Sequence, residues 1–243
     1  MPQRDTPLVA GEYYHLYNRG HNRQDIFFER ENYLFFLRRV RQYLLGEDET
    51  SKDFGELSRA VWETSEVYTT VVAYCLMPNH FHLLIRPQDD DLSRRMQRFS
   101  ISYTKAVNKR YSRVGALFQG QFQAVRVDHD EYLLHLSRYI HLNPVMAGLV
   151  RQPQVWEFSS YRDYIGLRQG TLPAPDVVLS QFPTTGAYRA FVESYQPADK
   201  NIISHLLLDD AWVQASEVSE DFGSLKTFWR EDHERRNGYP GIL

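Results

Sequence analysis

The sequence contains one cysteine, no long apolar run and little net charge. Cys75 has no partner in the chain, so no internal disulfide can form and a reducing compartment is favoured. No apolar stretch approaches the roughly 18–20 residues that a membrane-spanning helix requires, and the residues after Met1 lack the apolar core of a signal peptide. We therefore expect a cytoplasmic protein without a membrane partner.

The composition is also free of the biases that mark non-globular chains. Glycine and proline number only 13 and 11 among 243 residues, apolar residues make up 42% and charged residues 24%. These values exclude a collagen-like, disulfide-stapled or wholly disordered chain and indicate a globular protein. The length suits one domain with an elaboration or two small domains.

Acidic residues are missing from one long stretch, 92–127, although the whole chain has a formal charge of −3. The basic residues of this stretch are Arg94, Arg95, Arg98, Lys105, Lys109, Arg110, Arg113 and Arg126. Aromatic residues such as Tyr103 and Tyr111 lie between them. Cations that follow a phosphate chain, with rings that stack on bases, are typical of proteins that bind single-stranded nucleic acid. The alternative is a solvated helix face whose aromatic residues belong to the core.

The hydrophobic spacing predicts an α+β fold with a mostly antiparallel sheet. The predicted strands are 12–17, 69–76, 80–86 and 121–127, and the predicted helices are 31–45, 92–111 and 128–142. The order β-α-β-β-α-β is that of the ferredoxin-like split β-α-β fold, here followed by one more helix. Asp128 and Glu131 resemble a capping box at the start of that helix, and Pro144 is expected to end it.

The composition changes after residue 150, where prolines recur and an acidic stretch follows. We therefore predict a first domain over 1–150 and a mainly helical C-terminal extension over 151–243. Helices are expected near 187–195 and 224–236. The role of the extension does not follow from its sequence.

A His-Phe-His motif lies on the third predicted strand. Because alternate side chains of a strand point to the same face, His80 and His82 converge while Phe81 faces the other side. Two imidazoles on one rigid strand can hold a divalent metal ion. The alternative is that the two histidines are half-exposed and bind no metal ion.

The helix after Asp128 carries a second polar constellation. Tyr139 and Asn143 are four residues apart and therefore share one helix face. An amide oxygen can complete a metal site, and a phenol beside the metal can act as a nucleophile on phosphorus. The alternative is a buried aromatic residue followed by a helix stop at Asn143 and Pro144.

Together the two motifs resemble one family. The segments 77–82 and 139–145, separated by a basic helix, are similar to those of IS200-like single-tyrosine transposases, whose motif is histidine, hydrophobic residue, histidine (HUH). The resemblance is strongest to the branch associated with repetitive extragenic palindromes (REP). Further matching segments are 14–20, 118–122 and 156–161, so that the resemblance covers about residues 10–165.

This resemblance implies a ferredoxin-like catalytic domain that cleaves and rejoins single-stranded DNA next to a short hairpin. Tyr139 would attack a DNA phosphate, form a 5′-phosphotyrosine link and free a 3′-hydroxyl. His80, His82 and Asn143 would be the ligands of Mg²⁺ or Mn²⁺. The protein would act on chromosomal DNA in the nucleoid, as a monomer or a homodimer.

Contacts with DNA are predicted for Arg19, Arg94, Arg95, Arg98, Lys105, Lys109, Arg110 and Tyr103. Tyr103 and Tyr111 also compete for the role of nucleophile, but neither is followed by an amide four residues later. Structural or DNA-contacting roles near the site are expected for His15 and His135.

Two further functions stay open at this point. One is a DNA-hairpin-binding regulator that has lost its chemistry or does not use it. The other is a metal-dependent phosphodiesterase that uses activated water instead of Tyr139.

Overall fold

Four strands form one antiparallel sheet in the order β2-β3-β1-β4. The strands are β1 (Tyr13–Arg19), β2 (Thr69–Met77), β3 (His80–Pro87) and β4 (Gln123–Val127). The computed structural model describes residues 8–47 and 67–207, so the predicted helix at 224–236 lies outside the described residues. The antiparallel sheet confirms the predicted fold class, and β1 and β3 are its two central strands.

Two helices cover one face of the sheet. They are α1 (Arg30–Val40), which continues as a π-helical turn over Arg41–Leu45, and α2 (Leu92–Arg110). Gly46 ends the first of them in the left-handed conformation, with a φ of 82° that favours glycine. With these helices in place, the predicted β-α-β-β-α-β order is confirmed.

A third helix, α3 (Asp130–Met146), covers the opposite face. The strand β3 shows why both faces are covered, because it is apolar on both sides. Phe81 packs with the core beneath α1 and α2, whereas Leu84 packs with the core beneath α3. His80 and His82 alternate with Phe81 and therefore belong to the α3 face.

The helix α3 differs from its prediction at both ends. It starts at Asp130 with His129 as N-cap, and no side-chain bond from Asp128 caps it. It also passes through Pro144 to Met146, although the nitrogen of Pro144 cannot donate a hydrogen bond; Pro144 lies in the last turn, and the helix ends two residues later. The Asn143 carbonyl still accepts from the nitrogen of Ala147 at 2.9 Å. Asn143 is therefore fully helical.

The strand β1 is longer than predicted, because Arg19 still pairs with His80 of β3. The strand was predicted to end at residue 17, and in the structure it ends at Arg19, so that the turn starts at Gly20. A side chain at position 20 would meet the Gln24 carbonyl oxygen at 1.9 Å, so the turn requires glycine.

The segment after residue 150 completes the core beneath α3. It contains α4 (Tyr161–Tyr164), α5 (Asp176–Leu179), α6 (Thr185–Glu193) and a series of 3₁₀ turns over Pro197–Leu206. Tyr161, Tyr164 and Tyr188 are fully buried against the sheet and α3. The predicted helix near 187–195 is present as α6, and residues 1–207 form one compact unit. The division at residue 150 stays a prediction.

A buried hydrogen-bond network fastens this segment to the sheet. His141 Nδ1 lies 2.7 Å from the Tyr188 hydroxyl, and His141 Nε2 lies 2.8 Å from Ser160 Oγ. Ser160 Oγ in turn accepts from the backbone nitrogen of Tyr74 in β2, at 2.9 Å. Burial lowers the pKa of His141 to about 3, so this imidazole stays neutral in the folded protein.

The neutral His141 predicts that stability depends on pH. In the unfolded chain a histidine titrates near ~6.5, so below that pH the unfolded chain takes up a proton that folded His141 rejects. The free energy of unfolding should therefore fall as the pH drops, with His141 contributing at most about 1.4 kcal/mol per pH unit. Urea unfolding at about pH 7 and about pH 5.5, followed by tryptophan fluorescence, measures the change.

The matched variants are His141→Gln and His129→Gln, since His129 is exposed. The first should reduce the pH dependence and the second should preserve it. An unfolding free energy that is the same at both pH values in the wild type would contradict the prediction.

Candidate active site

The two histidines of the His-Phe-His motif meet the side chain of Asn143. Their ring centroids are 4.9 Å apart, and the rings stand at 85° to each other. His80 Nε2 lies 3.3 Å from Asn143 Oδ1, and His82 Nε2 lies 3.3 Å from Asn143 Nδ2. The strand β3 and the helix α3 thus bring together the three side chains that were predicted as metal ligands.

Tyr139 lies beside this group in the same chain. Its ring centroid is 5.7 Å from that of His82, and only 8% of the residue is exposed. Burial raises the pKa of Tyr139 to about 12, while a hydrogen bond with the Asn143 side chain acts in the opposite direction. The spacing of four residues on α3 therefore places the phenol and the amide at one site.

Both histidines of the motif are neutral near pH 7. Burial lowers the pKa of His80 to about 4, and the positive charge of Arg19 acts in the same direction. Burial also holds the pKa of His82 well below its usual value. A neutral imidazole has one nitrogen lone pair, which is the form that binds a metal ion.

The hydrogen bonds of His80 show that these side chains fit a divalent cation. The Asn79 amide nitrogen donates to the Arg23 carbonyl at 3.2 Å, so Asn79 Oδ1 faces His80 Nδ1 at 2.6 Å. The hydrogen of neutral His80 is therefore on Nδ1, and Nε2 presents a lone pair to the oxygen of Asn143. Two acceptors that face each other at 3.3 Å suit a cation.

The third polar side chain beside the two histidines is the amide of Asn143. Within residues 8–47 and 67–207, no group of three or more His, Cys, Asp or Glu side chains could hold a metal ion. Nitrogen and neutral oxygen donors of this kind are compatible with Mn²⁺ or Mg²⁺, although neither ligand type selects one metal.

Arg19 borders the site at the end of β1. In the antiparallel register it lies opposite His80, so both side chains are on the α3 face. Its guanidinium donates from Nε and Nη2 to Gln119 Oε1 at 2.8 and 2.7 Å. Of the predicted DNA contacts, Arg19 is the one next to the histidines.

The other predicted cations lie on α2, on the far side of the sheet from the histidines. Three of them pair with acids that precede the basic stretch or lie outside it: Arg94 with Asp91, Arg95 with Asp89 and Arg110 with Glu29. Arg98, Lys105 and Lys109 are exposed, and no ion pair among the described residues involves them. The basic stretch is thus partly neutralised by tertiary contacts.

Tyr103 corrects the prediction of a stacking residue. It is fully buried between α2 and the sheet, and its hydroxyl donates to the Ile26 carbonyl at 2.8 Å. Burial raises its pKa. A ring with no exposed surface cannot stack on a base. Tyr103 is therefore a core residue, which is the alternative that the sequence analysis gave for the aromatic residues of this stretch. Tyr111 is half-buried and donates to Glu29 Oε1 at 2.7 Å.

Sequence reasoning expected His15 near the site but missed its direct contact with His82. His15 Nε2 lies 2.9 Å from His82 Nδ1, and the Tyr17 and His15 rings are 4.8 Å apart. The available signal was the alternation of His15, Tyr17 and Arg19 along the strand, but the register against β3 decides which residues they meet. His135, in contrast, bonds to Arg138 and contacts the Phe191 ring.

A His-x-His pair on a central strand, with a tyrosine and an amide one turn apart on the covering helix, is the arrangement that the sequence motifs predict for a single-tyrosine HUH site on a ferredoxin-like sheet. Residues 32–143 match the family model described as IS200-like transposase. The resemblance inferred from the motifs is confirmed by this match.

Two relatives belong to the REP-associated branch. A Haemophilus influenzae protein classed by name with the REP-associated tyrosine transposases is 28% identical over 118 residues, which are 44% of this chain and 67% of that protein. A solved structure of a REP-associated tyrosine transposase bound to a REP hairpin has a TM-score of 0.51. It is 18% identical and covers 68% of this chain and 86% of its own, so it supports the fold.

The helices of the described residues give no sign of a membrane span, since none is both long and apolar enough to cross a bilayer.

Proposed function

We propose that this protein is a metal-dependent transposase that cleaves and rejoins single-stranded DNA next to hairpins. The observation that carries the proposal is the position of Tyr139, within one chain, beside His82 and Asn143. The match to the IS200-like family and the REP-associated relatives supports the same substrate. The proposed nucleophile and the three proposed metal ligands meet within one chain. A monomer would therefore have all the side chains that the reaction needs.

Tyr139 is the nucleophile in this proposal. Its Oη loses the phenolic proton and forms a bond to the phosphorus of a DNA phosphodiester, while the bond from phosphorus to the 3′-oxygen breaks. The 3′-oxygen takes up a proton and leaves as a hydroxyl, and the 5′ side of the DNA stays attached through a phosphotyrosine. Attack by a 3′-hydroxyl reverses the step and rejoins strands, so no ATP is consumed.

His80, His82 and Asn143 would hold Mg²⁺ or Mn²⁺, whose charge polarises phosphoryl oxygens and offsets the negative charge that develops in the displacement. Burial raises the pKa of Tyr139 to about 12. The hydrogen bond with the Asn143 side chain acts in the opposite direction, so Asn143 favours loss of the phenolic proton during the attack.

The cations divide the DNA contacts between two surfaces. Arg19, next to His80, is placed to bind a phosphate near the one that is cleaved. The α2 cations, led by exposed Arg98, Lys105 and Lys109 and joined by the ion-paired Arg94, Arg95 and Arg110, lie beyond the sheet. Contacts on α2 would therefore be made by a different part of the substrate than the cleaved strand.

A second candidate function is a hairpin-binding regulator without chemistry. The burial of Tyr139, which leaves 8% of the residue exposed, is the observation that favours it. In either case we propose a cytoplasmic, nucleoid-associated protein that acts on hairpin DNA.

Covalent capture tests the nucleophile. A labelled single strand that carries a hairpin should form an adduct with the wild type in Mn²⁺, visible on a denaturing gel. Tyr139→Phe should abolish the adduct because it removes the attacking oxygen. Tyr132→Phe is the matched control, since Tyr132 lies on the same helix but near His129 and His205, and it should keep the adduct.

Three outcomes would count against the proposal. No adduct from the wild type, together with intact hairpin binding, would favour the regulator. An adduct that persists in Tyr139→Phe would assign the nucleophile to another residue. Free 5′-phosphate ends without a protein link would favour the phosphodiesterase.

Metal binding gives a separate prediction. Mn²⁺ titrated into the metal-free protein by calorimetry should bind, and Asn143→Ala or His82→Ala should weaken binding by at least ~10-fold because one of three ligands is lost. His129→Ala, an exposed histidine elsewhere, should leave the affinity unchanged. EDTA should suppress the adduct and added Mn²⁺ should restore it. A Mn²⁺ affinity of Asn143→Ala equal to that of the wild type would show that Asn143 is not a metal ligand.

The α2 surface predicts a change in the salt dependence of binding. Replacing Lys105 and Lys109 by Gln should weaken binding of a labelled hairpin for every sequence and lower the slope of log K against log salt by about 1 per lost phosphate contact. Arg151→Gln is the control, because Arg151 is exposed outside α2. An unchanged slope in the double variant would exclude Lys105 and Lys109 from the DNA-binding surface.

A further inference from the structure

His15 connects the site to the segment that follows residue 150. Its Nε2 lies 2.9 Å from His82 Nδ1, and its Nδ1 lies 3.0 Å from the backbone carbonyl of Leu206. The ring is 1% exposed and stacks on the His82 ring at a centroid distance of 5.1 Å. The chain of contacts therefore runs from Leu206 through His15 to His82 and ends at Asn143.

These contacts determine where each hydrogen lies. A carbonyl oxygen only accepts hydrogen bonds, so the Nδ1 of His15 must be the donor to Leu206. A buried, neutral imidazole has a single hydrogen, so the Nε2 of His15 is an acceptor. The Nδ1 of His82 must then donate to it. The remaining nitrogen of His82, Nε2, has no hydrogen and presents its lone pair to Asn143.

The opposite tautomer of His82 would hinder a metal ion. A hydrogen on Nε2 would occupy the position of the metal, and the lone pair would point away from the site. Partners that hold the other ring nitrogen of a histidine ligand fix both its tautomer and its orientation. His80 has such a partner in Asn79, which is anchored by the Arg23 carbonyl.

The Leu206 carbonyl is held firmly enough for this task. Leu206 and Ile203 are buried in the core beneath α3. Asp199 at the start of the same 3₁₀ series pairs with Arg138 of α3 at 2.9 Å, and the side chain of Arg138 is 4% exposed. The His205 ring also contacts Tyr132 at 4.6 Å. The segment is thus fixed to the helix that carries Tyr139 and Asn143.

We propose that His15 is a positioning residue which, anchored by the Leu206 carbonyl, holds His82 with its hydrogen on Nδ1 and its Nε2 ready to bind the metal. The inference rests on the metal site of the proposed function. The proposal concerns which ring nitrogen of neutral His82 carries the hydrogen, and no change of charge is involved. Through the Leu206 carbonyl, residues 197–206 help to position a side chain of the site.

The test reads the tautomer directly in the metal-free, full-length protein. Long-range proton–nitrogen correlation NMR of ¹⁵N-histidine-labelled protein distinguishes a protonated Nδ1 from a protonated Nε2. The wild type should show His82 protonated on Nδ1. His15→Phe should convert His82 partly or wholly to the Nε2-protonated form and weaken Mn²⁺ binding by ~10-fold or more.

Two further variants separate positioning from packing. His15→Gln supplies a side-chain oxygen that can accept from His82 Nδ1 and an amide that can donate to Leu206, so it should restore the tautomer and most of the Mn²⁺ affinity. His129→Phe, which changes an exposed histidine at the start of α3, should leave both unchanged.

The wild-type spectrum keeps the inference falsifiable even where a variant does not fold. His82 protonated on Nε2 in the wild type would overturn it, as would an unchanged tautomer in folded His15→Phe. Because neither measurement uses DNA, the inference can fail while the adduct forms, and the adduct can fail to form while the tautomer is as expected.

Discussion

The strand β3 is buried on both faces, and the rest of the site depends on this constraint. Period-two alternation gives one face to Phe81, Leu83 and Ile85 and the other to His80 and His82. Polar rings in such a position lose their water and must be satisfied by protein groups, since an unpaired buried polar atom is costly. Asn79, Asn143 and His15 meet that need.

The same desolvation sets the protonation states of the site. It keeps the imidazoles neutral, so their lone pairs are available, and it raises the pKa of Tyr139, so the phenol is not charged without a neighbouring cation. His82, Tyr139 and Asn143 are buried and His80 is half-buried, so the packing around them limits how far these side chains can reorient. The segment after residue 150 contributes by covering this face and by offering the Leu206 carbonyl to His15.

The basic stretch 92–127 is less positive in the folded protein than its sequence suggests. The stretch itself contains no acidic residue. Acids from other parts of the chain nevertheless form ion pairs with it: Glu29 with Arg110 and Glu12 with Arg126. Exposed pairs of this kind contribute little to stability. Arg98, Lys105 and Lys109 are the exposed cations of α2 for which the described residues show no ion pair.

Local spacing in the sequence determined a large part of this protein. The strand period placed His80 and His82 on one face, the helical repeat placed Tyr139 beside Asn143, and the order of elements gave the ferredoxin-like sheet, since each is a matter of residues near each other in the chain. Only the tertiary structure decided that α3 continues through Pro144, that Tyr103 is buried and that His15 touches His82. These depend on strand register and on packing between distant segments, which residue spacing does not encode.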